Sequence, residues 1–141
     1  EGTGGGPHVG GELHLGHAWT LEGEGTLRTS PYVEVPGGIV DAMVRETEAV
    51  HRDQLNLLAE RHHLGDLGAS VHMVPGEPGV ALPHLADHLD VTLIVMGTVG
   101  RTGLRGLIMG NTAETILRSV RCSVLAVKPT GFTTPIKPAR R

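Results

Sequence analysis

From Val91 to Pro129 the chain runs through an apolar segment, a glycine-punctuated segment, a polar-headed amphipathic segment and a second apolar segment. That order predicts a strand, a loop, a helix and another strand. Leu93, Ile94, Val95 and Met96 make the first strand. Gly97, Gly100, Gly103, Gly106 and Gly110 punctuate the loop after it, with Arg101 and Arg105 among them. Asn111, Thr112, Ala113 and Glu114 open the helix. Asn111 succeeded three residues later by Glu114 has the form of a capping box, in which each side chain satisfies a free amide of the first turn. Ile116, Leu117 and Val120 fall on one helical face. Ser123–Lys128 is the second strand, stopped at Pro129, which cannot continue a central ladder.

A strand that empties into a glycine loop and then a helix start gathers unpaired backbone N–H groups at one point. That is a physical basis for holding an anion, typically a phosphate. The candidate site is therefore Gly97, Thr98, Gly100, Arg101 and Gly103 on the loop side and Gly110, Asn111, Thr112 and Ala113 on the helix side, with Arg101 as a counter-charge. The same segment also serves as a plain strand–helix connection with a flexible insert. One helix terminus favours a nearby anion by only about 0.3–1 kcal/mol when exposed, so binding needs several amides together. The loop is not a Walker motif, because no Gly-Lys-Ser/Thr comes after it.

The rest of the chain repeats the alternation. Residues 1–10 are glycine-rich and expected to be poorly ordered. Glu12–Leu21 reads as a strand and Glu22–Pro36 as a polar loop. Ile39–His63 is the longest helical pattern, with Val40, Met43, Val44, Thr47, Val50, Leu55 and Leu58 near one stripe. Arg45, Glu46, Glu48, Arg52 and Asp53 supply its wet face. Ala69–Val74 is a strand, Gly76–Gly79 a turn, and Val80–His88 a short helix whose Pro83 is expected in the first turn. Strands alternating with helices imply a parallel α/β architecture with right-handed connections. Ligands of such sheets bind beyond the carboxyl ends of strands, where the glycine loop lies.

With 141 residues the chain suits one domain and can bury a real core. Trp19, Tyr32 and Phe132 are its only aromatics, so that core must be aliphatic. A formal charge of −3 argues against nucleic acid as the main partner. No apolar run is long enough to span a bilayer, so no membrane partner is expected. Cys122 is alone, which excludes an intramolecular disulfide and fits a reducing, cytoplasmic setting.

Nine histidines invite a metal reading. His84 and His88 share a helix face, whereas His14 and His17 point to opposite faces of a strand. No acidic or cysteine partner stands at a zinc-type spacing, so no metal site is expected and solvated or partly packed histidine is the default. Catalysis finds little support. Ser119 and Ser123 lack a nucleophile elbow, Cys122 reads as a buried structural thiol, and Asp87 and Asp90 have no paired carboxylate.

The glycine spacing resembles the nucleotide signature of the universal stress protein family. That signature is glycine, two residues, glycine, nine residues, then glycine and a Ser or Thr. Gly97, Gly100 and Gly110 keep the spacing and Asn111 takes the hydroxyl residue's place. The likeness extends through Gly76-Glu77-Pro78, Asp90 to Gly97, Glu12 to Trp19 and Glu22 to Pro31. The wording of Gly97 to Gly103 and Gly110 to Glu114 is similar to the second half of tandem-type bacterial members.

The resemblance implies an open parallel sheet of the adenine nucleotide alpha hydrolase-like, Rossmann-like type. It implies a stress-response binding or regulatory module, not a turnover enzyme, with an ATP-type adenine nucleotide pocket. Three departures weaken that pocket: Asn111, Ala113 where relatives often carry a second hydroxyl, and the absence of an acidic adenine partner. Relatives begin with a further central strand and helix that residues 1–10 do not supply, which would leave exposed inner edges and a bare core face. The expected organisation is a leader over 1–11, a partial universal stress protein domain over 12–129 and a tail over 130–141. Ser123–Lys128 is expected to pair with a second universal stress protein domain or a homodimer partner. A weak ATP hydrolase, and a binder of an apolar or lipid-like ligand, are the competing functions.

Overall fold

The computed structural model describes residues 10–32, 34–98, 110–128 and 130–131. Its elements, in chain order, are β1 (His14–Trp19), α1 (Glu24–Thr29), α2 (Gly37–Arg61), β2 (Ser70–Pro75), α3 (Pro78–His88), β3 (Leu93–Gly97), α4 (Asn111–Ser119) and β4 (Ser123–Val127). The chain divides into two compact units, Glu1–Val74 and Pro75–Arg141. Among the described residues the strands form two pairs, β1 with β2 and β3 with β4. The leader expected over 1–11 falls mostly outside the described residues, as does most of the tail over 130–141.

In the first unit, the Ser70 amide donates to the Leu13 carbonyl at 2.9 Å where β2 meets β1. The Glu22–Pro36 segment is not all loop, since it contains the short helix α1. Its stabiliser is electrostatic. Arg28 donates to Glu24 at 2.8 Å, one helical turn back, and to Asp41 on α2 at 2.9 Å. Bonds to Glu24 and then Asp41 raise the guanidinium's pKa. A local (i, i+4) pair and a cross-helix pair on one arginine were not distinguishable from a polar loop in the chain's composition.

Helix α2 begins at Gly37, two residues before the helical pattern that starts at Ile39, and closes in a Schellman motif. The Leu64 amide donates to Ala59 O at 3.0 Å and the His63 amide to Glu60 O at 3.1 Å. His63 takes the left-handed conformation that glycine usually fills there, at φ 50°. The stripe is buried only in part. Val40 is fully buried and Leu55 buried, whereas Met43, Val50 and Leu58 remain exposed. Ala18 and Trp19 of β1 complete this unit's small core.

In the second unit, Gly76 at φ 123° makes a bend open only to glycine and delivers the chain to α3. Pro78, not Pro83, occupies the first turn of that helix. Pro83 lies inside α3 and is buried, so the expectation for it is corrected: the helix starts at the earlier proline, whose fixed φ suits that position. The far end of α3 repeats the α2 solution. Val91 donates to Ala86 O at 2.9 Å and Asp90, at φ 50°, donates to Asp87 O at 3.3 Å.

Helix α3 packs on α4 through a close approach at Gly79. A Cβ there would lie 2.8 Å from Thr115 Cγ2, so only glycine fits without displacement. Among the described residues, Pro83 and Ala86 of α3 and Ala113 and Ile116 of α4 are this unit's buried apolar residues. Strands β3 and β4 are parallel, with Val95 opposite Leu125 and Gly97 opposite Val127. Ile94, Met96 and Val124 are half-buried, while Leu93, Val95, Leu125 and Val127 stay exposed. Cys122 is half-buried, not fully buried, because it precedes β4 at the rim of the pair.

Candidate functional site

The carboxyl end of β3 and the amino end of α4 meet directly. The Thr98 amide donates to Val127 O at 3.1 Å, extending the β3–β4 pairing by one bond. The Thr98 carbonyl then accepts from the Gly110 amide at 2.8 Å. That second bond anchors the start of α4 at the tip of the strand. It also consumes the Gly110 N–H, so the free donors of the helix start are the first-turn amides of Asn111, Thr112 and Ala113, which have no intrahelical acceptor.

The bond to Thr98 corrects the capping box. Gly110 is the N-cap, with extended φ −77° and ψ 154°, and no side chain caps the helix. Asn111 is drawn into the first helical position. Glu114 turns away to accept from Arg118 Nη2 at 2.6 Å, an (i, i+4) pair that competes with reaching back over the helix start. Thr115 donates to the Asn111 carbonyl at 2.9 Å. The helix also ends at Ser119, so Val120 lies beyond it in extended conformation, and Leu117 is exposed while Ile116 is buried.

Two features set this junction apart. Thr98 is 2 % exposed, and its Oγ1 has no hydrogen-bond partner among the described residues. A buried hydroxyl left unpaired costs about 1–3 kcal/mol. The other feature is Gly110. Its φ suits any residue, and a Cβ there would meet only Thr98 O, at an ordinary 3.6 Å. Neither backbone strain nor described packing demands a glycine.

Of the expected site residues, the structure brings together Gly97, Thr98, Gly110, Asn111, Thr112 and Ala113. The Ala113 side chain is buried against the protein, so its contribution to the site is its amide. Gly100, Arg101 and Gly103 lie outside the described residues, as do Arg105 and Gly106. Thr98 was legible as a loop position, but its buried hydroxyl was not, since nothing local in the sequence signals it.

The histidines are organised in an unexpected way. His14 Nδ1 and His72 Nε2 are 3.0 Å apart, and His17 Nε2 and His51 Nδ1 are 2.8 Å apart with stacked rings. Among the described residues no group of three His, Cys, Asp or Glu side chains converges as a metal site would require. His84 and His88 are exposed on α3. No helix among the described residues is long and apolar enough to cross a membrane.

A parallel α/β unit with donors gathered at a strand's carboxyl end is a class of binding fold. Within it the affiliation is specific. Residues 8–128 match the model of the universal stress protein family, and the chain belongs to that family. It is 39% identical over 83 residues to universal stress protein E of Escherichia coli K12, a match covering 59% of this chain and 26% of that protein. It is 30% identical over 105 residues to universal stress protein MJ0531 of Methanocaldococcus jannaschii, covering 70% and 59% respectively. The match therefore spans about a quarter of universal stress protein E. Among solved structures, hypothetical protein MJ0577 superposes with a TM-score of 0.69 at 20% identity, covering 86% of this chain and 78% of that one. The protein PH0823 superposes at 0.56 and 21% identity, covering 87% and 79%. These likenesses establish the Rossmann-like α/β fold.

Proposed function

We propose that this chain is a nucleotide-binding regulatory module, holding the phosphates of an ATP-type adenine nucleotide where β3 ends and α4 begins. The observation that carries the reading is the buried hydroxyl of Thr98, without a partner among the described residues, on the residue whose carbonyl anchors the helix start of Asn111, Thr112 and Ala113. A phosphate oxygen placed there would accept from several of these donors together, which one helix terminus alone does not achieve. Gly110 supports the reading because its missing side chain keeps the helix start open without any conformational need for glycine. Gly100, Arg101 and Gly103 are assigned to the same phosphates by the family spacing of the glycines.

In this proposal the module binds and signals, and hydrolysis, which needs a metal ligand and a water-positioning group beside a γ-phosphate, is the competing reading. Its signalling partner is a second universal stress protein domain, in tandem or from a homodimer, packed along β4, where Leu125 and Val127 are exposed.

Calorimetric titration with ATP tests the site. Gly110→Val keeps an allowed backbone, and its Cβ meets Thr98 O at an ordinary 3.6 Å, so it should fold as the wild type does and lose at least about tenfold in affinity. No heat with ATP rejects nucleotide binding, and binding of an apolar ligand in its place revives the alternative cleft reading. Phosphate release above a blank would instead revive the hydrolase.

A further inference from the structure

Four of the chain's histidines bond to one another across elements, and the two pairs differ in what surrounds them. His14 of β1 meets His72 of β2, and Glu12 Oε2 lies 3.6 Å from the outer nitrogen of His14. His17 of β1 meets His51 of α2, and no carboxylate of the described residues lies within ion-pair distance of either. The charged groups flanking His51 on α2, Glu48 and Arg52, are bonded to each other. On β2 the nearest titratable group is His72, already committed to His14. On α1, Glu24 and Arg28 are bonded to each other, with Asp41 of α2 on the same arginine. Trp19 lies near the pair, its ring centre 6.2 Å from that of His51 and tilted 31° to it, and is itself buried.

We propose that His17 and His51 form an acid-released latch between β1 and α2. An N–H···N bond between two imidazoles needs one protonated and one bare nitrogen. The pair keeps its bond when it gains one proton and loses it when it gains two, because two donors then face each other as like charges at 2.8 Å. The first pair differs in its surroundings, since the Glu12 carboxylate lies near His14 and none lies near His17 or His51 among the described residues.

Burial, and then the charge of His51, lower the pKa of His17. The unfolded chain therefore binds protons more readily than the folded one below its ordinary value of about 6.5. Stability from the latch is fully present above that value and is lost as pH falls through and below it.

Trp19 is the chain's only tryptophan, which makes it a built-in reporter. As pH is lowered from about 7.5 to about 5, across the histidine range, its emission should shift to the red and the melting temperature should fall. His51→Gln replaces the second proton acceptor with a neutral donor and should flatten both profiles, whereas His72→Gln should leave the Trp19 transition in place. An emission and melting temperature that do not change over this range overturn the latch, as does a full acid transition retained in His51→Gln. Should His51→Gln fail to fold, ring-proton resonances of the wild type decide: a His17 midpoint below about 6.5 supports the latch, and one at or above it overturns it.

Discussion

Polar groups in the two units are satisfied in opposite ways. In the first unit the imidazoles of β1 find their partners inside the protein: His14 in His72 and His17 in His51. At the end of β3 the reverse holds, because the Thr98 hydroxyl is almost completely buried and has no partner among the described residues. An internal pair serves cohesion. An unpaired buried group, held next to a helix start, is a hydrogen-bonding capacity that a ligand can use. The functional end of a unit is thus recognised by what folding fails to satisfy as much as by what it assembles.

The comparison can be broken by removing what holds the β3–α4 junction in place. Ile116→Ala deletes the buried anchor of α4 and should cost about 2–5 kcal/mol, read as a lower urea midpoint. Gly79→Ala should cost about 1–3 kcal/mol by forcing α3 off α4, and adding Thr115→Ser, which removes the opposing Cγ2 but leaves Cβ 3.1 Å away, should restore part of it. Thr98→Val sharpens the comparison. Exchanging an unpaired buried hydroxyl for a methyl should stabilise the unliganded protein by up to about 1–3 kcal/mol while weakening ATP binding. Unchanged stability would mean that Oγ1 is satisfied in solution. The smallest effect is expected at the helix ends. His63→Gly and Asp90→Gly relieve left-handed strain and should each raise the thermal midpoint, by up to about 1 kcal/mol of stability, without affecting ligand affinity.

Much of the fold was legible because it depends on local order. The long apolar stripe starting near Val40 locates α2. The runs Leu93–Met96 and Ser123–Lys128 locate β3 and β4, and the spacing Gly97, Gly100, Gly110 points to the family. Local rules failed where two of them competed. Asn111 and Glu114 fit a capping box, yet the Gly110–Thr98 backbone bond shifts the cap by one residue and Arg118 claims Glu114. Pro83 fits a first turn, yet Pro78 fits it better and starts the helix earlier. Glu22–Pro36 has the composition of a loop, yet Arg28 finds Glu24 and Asp41 and a short helix forms.

The amino-acid order alone determined the alternation of strands and helices and the family they belong to. Those are properties of near neighbours, set by periodicity and by which residues can turn. Tertiary structure decided which polar groups would be paired. His14 and His72 are 58 positions apart, and His17 and His51 are 34 apart, so no local pattern links them. Burial of Thr98 is likewise invisible until β3, β4 and α4 close around it. Hydrogen-bond satisfaction is a sum over everything within about 3.5 Å in space, and the linear chain does not contain that list.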